Sequence, residues 1–482
     1  MLYHSTRSLS DPISCAQAVI KGLAPDGGLY MPDAIPAFDW ESCLKADAYG
    51  MATAILSAFL GDIPNMEALV QKAYTGKFSA AGLTPTVPVG DFSVLELFHG
   101  PTSAFKDVAL SMLPQLLTAA RAKEGFTDDI LILTATSGDT GKAALEGFKD
   151  VAGIKICVFY PDGGVSPVQR AQMVTQEGNN VAVCAVKGNF DDAQTGVKNI
   201  FNAVRSVPAG ALSSANSINI GRLVPQIMYY FKSYADLLAQ GKIALGDEVN
   251  FSVPTGNFGD ILAGYLAKLL GLPVGKLICA SNANNVLTDF IRTGTYDRQR
   301  TLHKTLSPSM DILVSSNLER LLYLLSGDTA QVASYMDQLN IDGSYTVSGE
   351  LLNKIQSLFW AGCCDDAGAQ AAIARVWQAH HYLCDPHTAT GWQVAQDYVN
   401  QTGDNRPMVV LSTASAYKFP AAVLSAIGGE PCGDEFAQQE ALEAITSVPM
   451  PRNLRGLKQK TERHTGVIAK NTMLAYVQAL NF

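Results

Sequence analysis

Beyond about residue 90, two hydrophobic rhythms alternate along the chain. Short apolar, β-branched runs predict buried strands: ILILTAT (130–136), KICVFYP (155–161), NVAVCAVKG (180–188), VNFSVP (249–254), KLICASN (276–282) and MVVLSTA (408–414). Between them, KAALEGFK (142–149), VQRAQMVTQEG (168–178), residues 222–238 and GDILAGYLAKLLG (259–271) carry helical spacing. Strands without a polar face, alternating with helices, predict an α/β fold with parallel sheets covered on both sides. The first ninety residues differ. GLAPDGGLYMPDAIP (22–36) is dense in Gly and Pro and reads as turns, residues 40–77 carry helical spacing, and GLTPTVPVGD (82–91) ends it. Three parts are expected: an N-terminal domain over 1–88, a first α/β part over 89–245 and a second over 246–482.

Composition narrows the function classes. The chain has 482 residues, 48% hydrophobic and 16% charged, which suits a large globular core and excludes a disordered chain. Its net charge of −9 argues against a general nucleic-acid or anionic-membrane surface. An anionic small ligand would have to be held locally, by basic side chains and backbone N–H groups. No stretch of about 18 apolar residues is present, so no membrane span is expected. MLYHSTRSLSDPISC lacks the basic start and apolar stretch of a signal peptide. The nine cysteines form no CxxC pair and read as reduced thiols of a cytoplasmic protein. The seven histidines form no metal-binding pattern, so no metal is expected.

Parallel sheets place ligands beyond the carboxyl ends of their strands. TSGDTGKAA (136–144) lies there, and its helix N-terminus reads either as an anion site or as an ordinary capped turn. It is not a P-loop, because Thr136 stands where the first Gly is required and Ala143 where Ser or Thr should be. PTGNFGDIL (254–262) is a Gly-bounded turn suited to a phosphate cradled by amides, or simply a tight turn; it fails GxGxxG. In HGPTSAFKDVAL (99–110), Lys106 is a surface lysine or, if buried, an amine of reduced basicity able to form an imine. In NSINIGRL (216–223), Arg222 offers a fork for phosphate or carboxylate, while Asn216, Ser217 and Asn219 could equally be helix caps.

Together and in order, these segments resemble the threonine synthase family. The resemblance runs from STRS and GLAPDGGLYMPD through HGPTSAFKD, TATSGDTGKAA, NSINIGRL, PTGNFGD, TLSPSMDI and DPHTA to LSTASAYKFP, nearly the whole chain. GLAPDGGLY and the length are similar to the longer microbial and fungal type. The resemblance implies a fold-type II pyridoxal-phosphate enzyme: parallel sheets in a large and a smaller mobile domain, plus an N-terminal domain. It implies that Lys106 binds pyridoxal 5'-phosphate covalently, and that Gly256, Asn257, Phe258, Gly259 and Asp260 cradle the cofactor phosphate. Thr413 would hydrogen-bond the pyridine nitrogen. Ser137, Gly138, Asp139 and Thr140 would hold the substrate carboxylate and the cofactor O3′ side. Asn216, Ser217 and Arg222 would bind the substrate phosphate. The chain departs from many members at Ser415-Ala416-Tyr417, where they carry His-Pro-Ala. His387, in DPHTA, reads as structural rather than catalytic.

The implied reaction converts O-phospho-L-homoserine and water to L-threonine and phosphate, with Lys106 moving the protons and the smaller domain, carrying TSGDTG, closing over the substrate. The implied assembly is a monomer or homodimer. Two other readings remain in view. One is a phospho-lyase that releases 2-oxobutanoate from a phosphorylated amino acid. The other is a non-catalytic binder of pyridoxal phosphate, which would need no second phosphate site.

Overall fold

The computed structural model describes residues 1–203 and 212–480. Among the described residues two mostly parallel sheets dominate. The larger has six strands in the order Phe359–Cys363, Val274–Ser281, Val249–Pro254, Met408–Ser412, Phe92–Glu96 and Thr86–Val89. All pair in parallel except the edge strand Thr86–Val89, which is antiparallel to its neighbour. The smaller has five parallel strands, ordered Val467–Ala469, Val181–Lys187, Ile154–Pro161, Ile130–Ala135 and Leu212–Ser213. The central strands VNFSVP, MVVLS and ILILTA are buried along their whole length, which explains their lack of polar alternation.

The six-stranded sheet takes strands from both sides of the five-stranded unit in sequence. The smaller unit is therefore an excursion between Phe92–Glu96 and Val249–Pro254, closed by a late strand at Val467–Ala469. Residues at the excursion's strand ends can thus be presented to the strand ends of the larger sheet.

The two units meet through helices. Pro114 lies inside the helix Lys106–Lys123 and has no N–H to give the Leu110 carbonyl four residues earlier. Gly147, near the end of the helix Asp139–Phe148, approaches there so closely that a Cβ would stand 2.0 Å from the Leu110 oxygen. A side chain at that position would push the two helices apart.

The N-terminal residues form a three-stranded antiparallel sheet (Ser8–Ser14, Leu2–Ser5, Tyr30–Pro32) and helices Trp40–Cys43, Ala48–Phe59 and Met66–Tyr74. Part of the Gly/Pro-rich segment expected to be turn is thus a strand, Tyr30–Pro32. The Tyr74 hydroxyl donates to the Val108 carbonyl at 3.0 Å, tying this region to the Lys106 helix. The helical spacing over 222–238 is not one helix. Pro225 gives a 3-10 turn at Val224–Gln226 between Ile220–Leu223 and Ile227–Ala239, since proline cannot continue the backbone ladder.

Candidate active site

Lys106 is the first residue of its helix, and Phe105 before it supplies no side-chain cap. The segment leading to it is clamped to the end of the buried strand Met408–Ser412. The Phe105 N–H donates to the Thr413 carbonyl at 2.8 Å and the Ser415 N–H to the Ser103 carbonyl at 3.1 Å. Ala104 and Ala414 form an antiparallel bridge between them. Thr413 is therefore fixed beside Lys106 by backbone alone. On the other side, the Thr102 N–H and hydroxyl donate to the Asp107 carboxylate at 2.8 and 2.6 Å, pinning the turn.

Gly256–Asp260 follow the strand Val249–Pro254 and open the helix Gly259–Leu269. Phe258 is left-handed at φ 61° and offers no side-chain cap. The carbonyls of this loop are held from behind. The Ser315 hydroxyl donates to the Gly256 carbonyl at 2.7 Å, and the Asn317 backbone N–H and side-chain amide each donate to the Asn257 carbonyl at 3.1 Å. In a trans peptide the N–H points opposite its carbonyl. The N–H groups of Asn257 and Phe258 are thereby turned away from Ser315 and Asn317, beside the uncapped helix N-terminus. Such a nest of amides holds an anion.

Asp260 does more than lend an amide. Its side chain is buried, with Oδ1 accepting from the Tyr229 and Tyr230 hydroxyls and Oδ2 buried without a partner. Burial pushes its pKa up to about 7, against the pull of the two tyrosine donors and of Lys106.

Asp139 opens the helix Asp139–Phe148 of the smaller unit. Gly138 before it sits at φ 143°, a conformation that disfavours any side chain, and an added Cβ would lie 2.4 Å from the Gln169 amide. Gln169 belongs to a capping box: Ser166 Oγ accepts from its N–H, and its Oε1 accepts from the Ser166 N–H. Held that way, its Nε2 donates to Asp139 Oδ1 at 2.8 Å. The same carboxylate oxygen lies 2.6 Å from Lys418 Nζ, with side-chain exposures of 0% for Lys418 and 3% for Asp139. Burial alone would raise the Asp139 pKa. The ammonium groups of Lys418 and Lys106 outweigh it and hold the carboxyl below the usual range. Ser137 and Thr140 flank Asp139, half-buried.

Arg222 is 3% exposed. Its guanidinium donates to the Ala215 carbonyl, Nε is buried without a partner, and burial lowers its pKa to about 10. Asn216 and Ser217 lie half-buried just before its helix. Asn219 is the cap, accepting from the Gly221 N–H at 2.9 Å and donating to the Val19 carbonyl at 2.9 Å.

The four loops converge. Charges on Asp139, Lys418, Arg222 and Asp260 all act on Lys106. An ideal Cβ on Gly259 would be 3.7 Å from the Ser217 Cβ. Burial pushes Lys106 down to about 8; Asp139 and Asp260 oppose this, while Lys418 and Arg222 add to it. Lys106, Lys418 and Arg222 thus face Asp139, whose carboxyl is held ionised, while burial raises the carboxyls of Asp260 and Asp107. The buried cations Lys418 and Arg222, beside the half-buried Lys106, suit anionic ligands. An amine of lowered basicity beside an amide nest suits an aldehyde carrying a phosphate, and the partnerless Arg222 Nε suits a second anion.

Four residues outside the expected set organise the site: Gln169, Lys418, Asn317 and Arg320. Arg320 is fully buried. Its NH2 donates to the carbonyls of Tyr30 at 3.2 Å and Ile218 at 2.7 Å, its NH1 to the Ser217 carbonyl at 3.4 Å and to Asn317 Oδ1 at 2.5 Å. One guanidinium therefore joins the N-terminal sheet, the Asn216–Ser217 loop and, through Asn317, the amide nest. Lys418 alone left a sequence signal, a single charge in the apolar run AYKFP just past a buried strand. Both ring nitrogens of His387 have partners within the fold. Its Nδ1 is 2.6 Å from Asp385 Oδ2 and its Nε2 accepts from the Ser309 N–H at 3.2 Å, steadying a segment that walls Gly256. At the departure Ser415-Ala416-Tyr417, Ser415 accepts from the Tyr417 N–H, and the Tyr417 hydroxyl is spent on the Val448 carbonyl.

The chain is similar to known proteins over most of its length. The family model for the threonine synthase N terminus matches residues 2–74, that for pyridoxal-phosphate dependent enzymes matches 78–414, and that for the threonine synthase C-terminal region matches 388–479. Threonine synthase from Pseudomonas aeruginosa is 41% identical over 454 residues, covering 91% of this chain and 94% of the relative. Threonine synthase-like 1 from Macaca fascicularis is 40% identical over 86% of this chain, and the chain spans only 58% of that relative's length. Among solved structures, PLP-bound threonine synthase from Brucella melitensis superposes with a TM-score of 0.88 at 39% identity, covering 99% of both chains. Yeast threonine synthase gives 0.88 at 33% identity, covering 99% of this chain and 98% of the other.

Proposed function

We propose that this chain, which belongs to the threonine synthase family of pyridoxal-phosphate-dependent enzymes, converts O-phospho-L-homoserine and water to L-threonine and phosphate. The observation that carries the reading is the pair of anion sites around one amine. The amide nest at Gly256–Asp260 and Arg222, whose Nε is buried without a partner, are separate, and Arg222 and Asp260 both act on Lys106. A protein that only stored the cofactor would need the first and not the second.

The residues fit pyridoxal phosphate. Lys106 would bind it covalently, the nest at Gly256, Asn257, Phe258, Gly259 and Asp260 would hold its phosphate, and Thr413 would serve its ring nitrogen. When bound, the cofactor supplies the electron sink that makes protons on Cα and Cβ of an amino acid removable.

The chain's own groups do the remainder. The Lys106 amine, lowered to about 8, can take the Cα proton and return protons near neutral pH. Arg222, with Asn216 and Ser217, grips the substrate phosphate and stabilises the charge that grows on it as it leaves Cγ. Ser137, Thr140 and the first-turn N–H groups after Gly138 hold the substrate carboxylate. Water then adds at Cβ. Closure of the smaller unit on the bound carboxylate limits water to that one addition and prevents hydrolysis to 2-oxobutanoate.

The setting that accompanies this reading is a reducing cytoplasm, supported by nine cysteines that are all free thiols, and a monomer or homodimer acting on a small molecule. No described helix is long and apolar enough to cross a membrane. The test is turnover of O-phospho-L-homoserine by the purified protein with pyridoxal phosphate. Threonine formed in step with phosphate is the expected result, and phosphate accompanied by 2-oxobutanoate would overturn it in favour of a phospho-lyase.

A further inference from the structure

Lys418 has no part in the reaction just described, yet it is the most deeply buried charge near Lys106. It reaches from the turn after the strand Met408–Ser412 of the larger sheet to Asp139 on the smaller unit, 2.6 Å away. Its ammonium also donates to the Thr102 carbonyl at 3.1 Å, in the segment that leads to Lys106. One side chain thus spans both units and the loop that presents the reactive amine.

We propose that Lys418 is a positioning residue for Lys106: it occupies the Asp139 carboxylate, so that this carboxylate does not capture the Lys106 nitrogen as its own ion-pair partner. The proposal rests on the reading of Lys106 as the cofactor lysine, but not on the identity of the substrate.

Charge accounting supports it. Asp139 makes its salt bridge with Lys418 and accepts from Gln169 on the same oxygen, and it makes no salt bridge with Lys106 among the described residues. The groups acting on Lys106 are Asp139, Lys418, Arg222 and Asp260. Asp260 is engaged with Tyr229 and Tyr230. Asp107 is engaged with Thr102 and also feels Lys418. If Lys418 were removed, Lys106 would be the cation acting most strongly on the Asp139 carboxylate. An opposite charge in a buried site stabilises the protonated form of a nitrogen. A protonated Lys106 neither attacks an aldehyde nor accepts a proton.

The experiment uses the full chain loaded with pyridoxal phosphate and follows the bound cofactor's absorbance with pH, which reports protonation of the Lys106 nitrogen without any substrate. In Lys418→Met the midpoint is expected to rise by about one pH unit or more. Lys418→Arg should restore it to near wild type. Lys418→Met combined with Asp139→Asn should bring it back down, because the carboxylate is gone. If Lys418→Met does not fold, Asp139→Asn alone decides: with the anion lost and Lys418 and Arg222 retained, its midpoint should fall below wild type. A Lys418→Met midpoint equal to wild type, or a rise that persists in the double variant, would overturn the proposal. A merely structural lysine would lower the melting temperature of these variants and leave the midpoints in place. Failure of the substrate assay would leave this result untouched.

Discussion

Lys106 is the residue on which everything else converges, and its character comes from neighbours rather than from sequence. Burial and the cations Lys418 and Arg222 lower its basicity to about 8, against Asp139 and Asp260. Below that pH the amine is an ammonium and cannot attack an aldehyde. The rate at which cofactor-stripped protein takes up pyridoxal phosphate should therefore rise with pH and level off above about 8. A rate flat between pH 6 and 9 would contradict this. Lys106→Ala should lose covalent cofactor attachment and cut turnover by at least about 10²–10⁴-fold, the usual range for removing a positioned acid/base. Arg222→Ala should raise KM strongly and also lower kcat. The combined loss in kcat/KM should be roughly 10- to 100-fold, as expected for a charged hydrogen bond of about 1.5–3 kcal/mol. Steady-state kinetics checks both. At this scale the motif residues were legible as candidates, because reactive side chains at strand ends stand out from the apolar runs around them. Lys418 left only a faint trace. Arg320 left none, since apart from Asn317 its partners are backbone carbonyls from segments about 100 and 290 residues away.

Elements determine whether those side chains meet. The strands were legible, since VNFSVP, MVVLS and ILILTA are buried throughout and show it as unbroken apolar runs. The helix break at Val224–Gln226 was legible only through Pro225, which hydrophobic spacing alone passes over. The antiparallel N-terminal strands were not legible, because Ser8–Ser14 is largely exposed and polar and Tyr30–Pro32 lies within a Gly/Pro-rich stretch. The amide nest illustrates how an element is held for a task. Asn317→Ala removes one of two donors to the Asn257 carbonyl and frees the Arg320 fork. Pyridoxal-phosphate affinity should weaken by about 2- to 10-fold, the worth of one neutral hydrogen bond. Fluorescence titration with the cofactor measures it, and an unchanged affinity would show that the nest does not need its rear support. Gly138→Ala tests the opposite face. Its Cβ would displace Gln169 from Asp139, so KM for the substrate should rise while cofactor affinity is kept.

At the scale of the whole molecule, the chain order conceals the architecture. The five-stranded unit is inserted between two strands of the six-stranded sheet and completed by residues near the C-terminal end of the described chain. It brings to the site the N-terminus of the helix Asp139–Phe148, Gln169 and the loop after Leu212–Ser213, and the Asp139–Lys418 pair joins it to the larger sheet. A site shared between two units can close on its substrate, and closure is what would keep water from the wrong step. Thr140→Ala should therefore lose turnover far more than cofactor binding, and should release a larger share of 2-oxobutanoate; wild-type turnover in that variant would contradict the role given to this helix end. Proteins called threonine synthase and threonine synthase-like 1 match this chain at similar identity, and the product is what the proposed function asserts. The most direct test is therefore the product balance. The purified protein is incubated with pyridoxal phosphate and O-phospho-L-homoserine, and phosphate, threonine and 2-oxobutanoate are quantified together. One threonine per phosphate is the result predicted here. Phosphate with mainly 2-oxobutanoate, or no phosphate from a protein that holds its cofactor, would contradict it.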